Sequence, residues 1–216
     1  MAFEVLDEHE QGELVRKWLR ANAMSIAVGI AIGLALIFGW QQWKARQVRN
    51  QGEAALQYRA FMDAVAAKRD DDAAKIAESL RSGHSASAYA VFAALAQAEA
   101  AVRKGDLAAA QADLAFADRN AADPVLKSLI ALRTARVTLA AGDAAAALAR
   151  LDGVPKADFN ALASELRGDA LAKLGRPADA RAAYEEALKS LDPMAPGRDI
   201  VQMKLGDLPT AETSKS

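Results

Sequence analysis

Few side chains in this 216-residue chain have types that do chemistry: His9, His84, the acid run Asp70, Asp71 and Asp72, and the pair Glu185 and Glu186. A catalytic histidine needs an orienting acid and a reacting partner, and "RSGHSASAY" around His84 supplies neither. It reads as a small-residue linker with a surface histidine, in which Ser85 or Ser87 caps the helix that follows. Asp70 to Asp72 offer oxygen ligands for a hard cation, but a calcium loop spaces its oxygens alternately and ends on a glutamate. The run is therefore expected to be a solvated helix start. Glu185 and Glu186 are adjacent, so a helix splays them onto neighbouring faces where they cannot converge on one substrate atom.

The chain has no cysteine, which excludes disulfides, thiolate metal sites and a cysteine nucleophile. With only two histidines, a transition-metal centre would have to be built almost wholly from carboxylates. No phosphate loop, nucleophile elbow, zinc-binding helix motif or dinucleotide fingerprint is present. A formal charge of −1 gives no reason to expect nucleic acid as a partner. The expectation is a protein without catalytic residues, cofactor or metal.

What the chain must position is instead a surface. "ANAMSIAVGIAIGLALIFGWQQW", residues 21–43, has no charged residue. As a helix these residues extend about 35 Å, enough to cross a hydrocarbon core of about 30 Å. A cleaved signal peptide would be shorter and would end in a small-x-small site, whereas this stretch ends "FGWQQW". Trp18, Trp40 and Trp43 fall where indoles prefer the membrane interface. Arg16, Lys17 and Arg20 before the span face Lys44, Arg46, Arg49 and Arg59 after it, so charge bias leaves the orientation open. Small residues at a spacing of four, Gly29 and Gly33 among them, would let a neighbouring span approach closely.

Beyond the span the chain repeats. "AVRKGDLAAAQADL", "TLAAGDAAAALARL" and "LAKLGRPADARAAY" superimpose without gaps, aligning Gly105 with Gly142 and Gly175, and Ala110 with Ala147 and Ala180. A period near 34 residues, in which one helix closes at Gly and the next carries Ala five positions on, is the tetratricopeptide pattern. Gly takes the left-handed conformation that ends a helix, Asp106 and Asp143 suit the start of the next, and Pro177 suits a first helical turn. The aligned alanines mark where paired helices cross. The last unit adds Gly168, Tyr184 and Ala187 at small, aromatic and small positions, whereas the front unit keeps the rhythm without the Gly. In all, the pattern predicts about four hairpins and a capping helix over Gly197 to Leu208.

The fold expected is all-α, a single N-terminal transmembrane helix followed by a tetratricopeptide-like solenoid. Its parts are a tail over 1–20, a span over 21–43, a linker helix and repeat domain over 44–208, and a disordered tail over 209–216. Such a stack presents a curved inner face that holds peptide or protein, lined by first helices, with Arg133, Arg136 and Arg167 as polar anchors.

The order of parts, "ELVRKWLRAN", a span ending "FGWQQWK", "YAVFAALAQAEAAVRKGDLAAA", "SELRGDAL" and "VQMKLGDLP", resembles the YfgM family, ancillary subunits of the bacterial SecYEG translocon. The likeness runs over essentially the whole chain, while a looser likeness to cell-division coordinator proteins involves the repeats alone. The resemblance implies an inner-membrane protein with a cytoplasmic N-terminus and a periplasmic repeat domain, which sits beside the translocon with a periplasmic chaperone of the prolyl-isomerase type. It implies no catalytic residue. Two rivals are an envelope or division scaffold with other partners, and a cytoplasmic regulator-binding module.

Overall fold

The computed structural model describes residues 8–209, so all but the first residue of the tail expected over 209–216, and residues 1–7 of the tail expected over 1–20, lie outside them. Among the described residues there are nine helices and no strand: α1 (Glu8–Ala66), α2 (Asp70–Gly83), α3 (Ala88–Arg103), α4 (Leu107–Asn120), α5 (Pro124–Ala140), α6 (Ala144–Asp152), α7 (Asn160–Lys173), α8 (Pro177–Ser190) and α9 (Arg198–Gly206). The chain divides into two units after Gly52.

The first unit is helical throughout its described length. No side chain of residues 21–43 is buried, and Met24, Leu36, Ile37 and Phe38 are largely exposed. Apolar side chains in such a run are stable only in an apolar surrounding. Asn22, the polar residue at its start, donates its amide to the Trp18 carbonyl at 2.9 Å, which keeps that polar group satisfied by the helix itself. The rings of Trp40 and Trp43 lie 5.5 Å apart at the other end.

The second unit is a run of antiparallel helix pairs, and each first helix ends in the same way. Gly105, Gly142 and Gly175 have φ of 78°, 96° and 69°. Around each, two backbone bonds reach back into the finished helix, as in Gly105 N–H to Val102 O (3.0 Å) and Asp106 N–H to Ala101 O (2.9 Å). This is a Schellman closure, which satisfies carbonyls that a helix end leaves without partners. Asp106 and Asp143 then accept from Ala109 N–H and Ala146 N–H, both at 2.9 Å, and so start α4 and α6.

The front turn uses the same closure without glycine. Lys68 N–H bonds Val65 O at 3.0 Å and Arg69 N–H bonds Ala64 O at 2.9 Å, while Lys68 takes φ 55°. A side chain in the left-handed region is strained, because its Cβ crowds the carbonyl. Lys68→Gly is therefore expected to stabilise the second unit by about 0.5–1 kcal/mol, read as a raised urea midpoint; a lowered one would refute the strain.

Packing follows from the alanines. Ala110, Ala147 and Ala180 are fully or almost fully buried, and the crossings they occupy leave no room for a larger side chain. The end of α1 joins this core through Ala54, Phe61 and Ala64, and Tyr58 meets the Tyr89 ring of α3 at 5.5 Å. The packing of this end of α1 overturns one expectation. His84 is not a surface residue but 8% exposed, with Nε2 3.3 Å from Gln57 Nε2 of α1. The local sequence shows a small polar linker and cannot show that α1 packs over it. Ser87, as expected, caps α3 by accepting from Tyr89 N–H at 3.2 Å.

Candidate protein-binding surface

Counting back from the turn glycines shows which first-helix positions share a face. Six residues before each glycine stand Glu99, Arg136 and Asp169, and all three line cavities on one side of the repeat stack. Seven residues before stand Ala98, Ala135 and Gly168, all buried against second helices. One helical residue of rotation, about 100°, separates the two sets, although Ala98, buried as it is, still reaches the wall of the cavity beside Glu99.

The first cavity, about 270 Å³, lies between α3, α4 and α5. Its walls are Leu95, Val102, Leu107, Leu114 and Val137, with Arg133 and Arg136 beside Glu99 as its charged groups. Glu99 is engaged by Arg103 at 2.7 Å. Among the described residues, Arg133 and Arg136 make neither a side-chain hydrogen bond nor an ion pair. Arg167 is placed differently: its Nη2 donates to the Leu151 carbonyl at 3.0 Å and lies 3.4 Å from Asp152 Oδ1, so it caps the end of α6 and does not line this cavity.

A second cavity of about 560 Å³ shares Arg136 and Ala140 with the first and extends to Glu165, Asp169, Lys173, Tyr184 and Lys204. Lys204 Nζ of α9 reaches Glu165 Oε1 at 2.6 Å and Asp169 Oδ2 at 2.8 Å, while Tyr184 donates to Asp169 Oδ1 at 2.8 Å. Burial pushes the Lys204 ammonium down, but the hydrogen bonds it donates to Asp169 and Glu165, with their negative charge, outweigh it and hold the group above the ordinary lysine value. Burial, then the Asp169 bond, pushes the Tyr184 phenol up. The two distinctive motifs "ELRGD" and "MKLGDL" thus bind one another. Both carry the family resemblance, but the sequence does not reveal that they meet, since 35 to 39 positions separate the partners.

Gly168 is required here for room. A Cβ on it would sit 2.4 Å from a Tyr184 ring carbon. Ala187 is fully buried on the same helix as Tyr184. Gly29 and Gly33 of α1 are the opposite case: a Cβ on either meets nothing within 4 Å. Asp70, first of the acid run, is an exposed helix start whose carboxyl is held below its usual range by the Lys104 hydrogen bond at 2.7 Å.

Paired helices closed by left-handed glycines, with a cavity-bearing face and one membrane-length apolar helix among the described residues, define a tetratricopeptide-like repeat protein with a candidate transmembrane anchor. A family profile described as a tetratricopeptide repeat-like domain matches residues 16–210. A Haemophilus influenzae protein is 33% identical, covering 96% of this chain and all of its own length, and an Escherichia coli protein is 32% identical over 94% and 97%. A Neisseria gonorrhoeae protein is 28% identical over 89% of each chain. All three are named "Ancillary SecYEG translocon subunit", and the chain belongs to that family. No solved structure gives a significant match.

Proposed function

We propose that this protein is a membrane-anchored adaptor at the SecYEG translocon, with its N-terminus in the cytoplasm and its repeat domain in the periplasm. There it binds translocated proteins without turnover and passes them to a chaperone of the prolyl-isomerase type. The near full-length match to relatives named as translocon subunits carries this reading. It is supported by the helix of residues 21–43, whose uncovered apolar side chains call for lipid, and by the unoccupied charge on Arg133 and Arg136.

Within the span, Gly29 and Gly33 are assigned to contact with a neighbouring helix, because their small size lets another backbone approach closely and a Cβ on either would meet no described atom within 4 Å. Photocrosslinkers placed in the span and beside Arg136 test the reading in intact membranes. Recovery of channel subunits is expected; recovery of wall-synthesis proteins alone would replace the adaptor with an envelope scaffold. Gly29→Leu with Gly33→Leu is expected to lower the span's crosslinking yield several-fold, and an unchanged yield removes the helix contact. A reporter fused after Leu208 is expected to be active only in the periplasm, and cytoplasmic activity would reverse the topology.

A further inference from the structure

Glu99, Arg136 and Asp169 occupy one equivalent position in three successive repeats, with alternating charge. The two acids are neutralised within the chain, Glu99 by Arg103 and Asp169 by Lys204. Among the described residues Arg136 has no such partner, nor has Arg133, which lies three residues before it on the same helix face. Two guanidiniums therefore border an aliphatic cavity of about 270 Å³, and among the described residues neither has a carboxylate partner, since the Glu99 on the same wall is engaged by Arg103. Guanidinium groups so placed favour a carboxylate, which they hold through paired N–H donors.

The cavity's size narrows the ligand. It falls just below the roughly 300–1,000 Å³ of pockets for drug-sized molecules, yet exceeds the roughly 150 Å³ that holds a benzene-sized group. That volume suits an aliphatic side chain or two. Direction follows from continuity. Arg136 and Ala140 also line the second cavity, so a chain seated at the first has a path onward toward α7 and α9.

We propose that this surface binds an internal, extended protein segment in which an aliphatic side chain fills the α3–α4–α5 cavity and a neighbouring Asp or Glu side chain is held by Arg133 and Arg136. This rests on the adaptor reading and gives its substrate class. The through-running path argues for a side-chain carboxylate over a chain terminus.

The test uses the full chain in nanodiscs and fluorescent dodecapeptides with a central Leu-Glu-Leu in a Gly-Ser frame. Anisotropy is expected to show the Glu peptide binding at least fivefold tighter than its Gln counterpart, with the difference shrinking at 1 M salt. Replacing both peptide leucines by alanine is expected to lose binding as well. Arg133→Gln with Arg136→Gln should erase the Glu-over-Gln preference and leave the leucine dependence. Ala140→Phe, at the exposed position common to both cavities, should weaken every peptide.

Equal or undetectable binding of the Glu and Gln peptides to the unmodified protein overturns the proposal, as does a preference that survives in the double variant. A peptide whose only carboxylate is its C-terminus, if it binds tighter than the internal Glu peptide, also overturns it in favour of a terminus-binding groove. Should channel crosslinks persist in any of these cases, the groove chemistry alone fails; their loss would take the adaptor reading with it.

Discussion

Gly168→Ala is expected to destabilise the second unit by about 2–3 kcal/mol, although alanine in place of a helical glycine ordinarily gains up to about 1 kcal/mol. The new Cβ would lie 2.4, 2.5 and 2.9 Å from three atoms of the Tyr184 ring. The ring is held where it stands, because Tyr184 is 3% exposed and its hydroxyl is tied to Asp169. Either the hydrogen bond breaks or α7 and α8 move apart. With a urea m-value of about 2 kcal/mol/M for a unit this size, the midpoint falls by about 1–1.5 M. Gly168→Ala combined with Tyr184→Leu should lose less than the two single losses added together, since the smaller side chain makes room. A Gly168→Ala protein as stable as the parent would mean that the pair is not close-packed.

The hairpin turns were legible because their chemistry is local. Gly105, Gly142 and Gly175 each supply a positive φ, and Asp106 and Asp143 each cap the next helix, within a few residues of sequence. At the front turn only the helical rhythm is legible, since nothing about a lysine announces a left-handed backbone; Lys68 is exposed, and the two closing backbone bonds hold it there. The burial of His84 is hidden from the local sequence for a related reason, its cover coming from α1, where Gln57 lies 27 positions away.

Helical phase explains why the three arginines divide. Counted back from their turn glycines, Arg133 stands at nine and Arg136 at six, three apart and so on one face. Arg167 stands at eight, rotated by about 100° from the first of these, and it turns instead to the carbonyl end of α6. The arithmetic is in the sequence, but which face is inner is fixed only by the crossings, where Ala98, Ala135 and Gly168 are buried. Composition alone therefore marks all three arginines equally.

Lys204→Met is expected to cost about 2 kcal/mol, less than the about 3–5 kcal/mol of breaking a fully buried pair, because the three charged side chains remain 22–27% exposed. Loss of the ammonium leaves Glu165 and Asp169 one helical turn apart with their charges unopposed. Neutralising both with Glu165→Gln and Asp169→Asn in the same protein should recover part of the loss, whereas a merely apolar role for the Lys204 stem predicts no recovery. The pH dependence separates these further. Lys204 and Tyr184 both have folded-state values raised above their ordinary 10.5 and 10.0. Above about pH 10 the unfolded chain releases protons that the folded chain keeps, so stability falls as pH rises. The contribution is complete below that range and disappears as each folded group finally titrates. Tyr184→Phe should make this alkaline decline shallower and Lys204→Met should do so again, measured as urea midpoints from pH 8 to 11. If Lys204→Met declines as steeply as the parent, α9 is not held to α7 by this charge cluster.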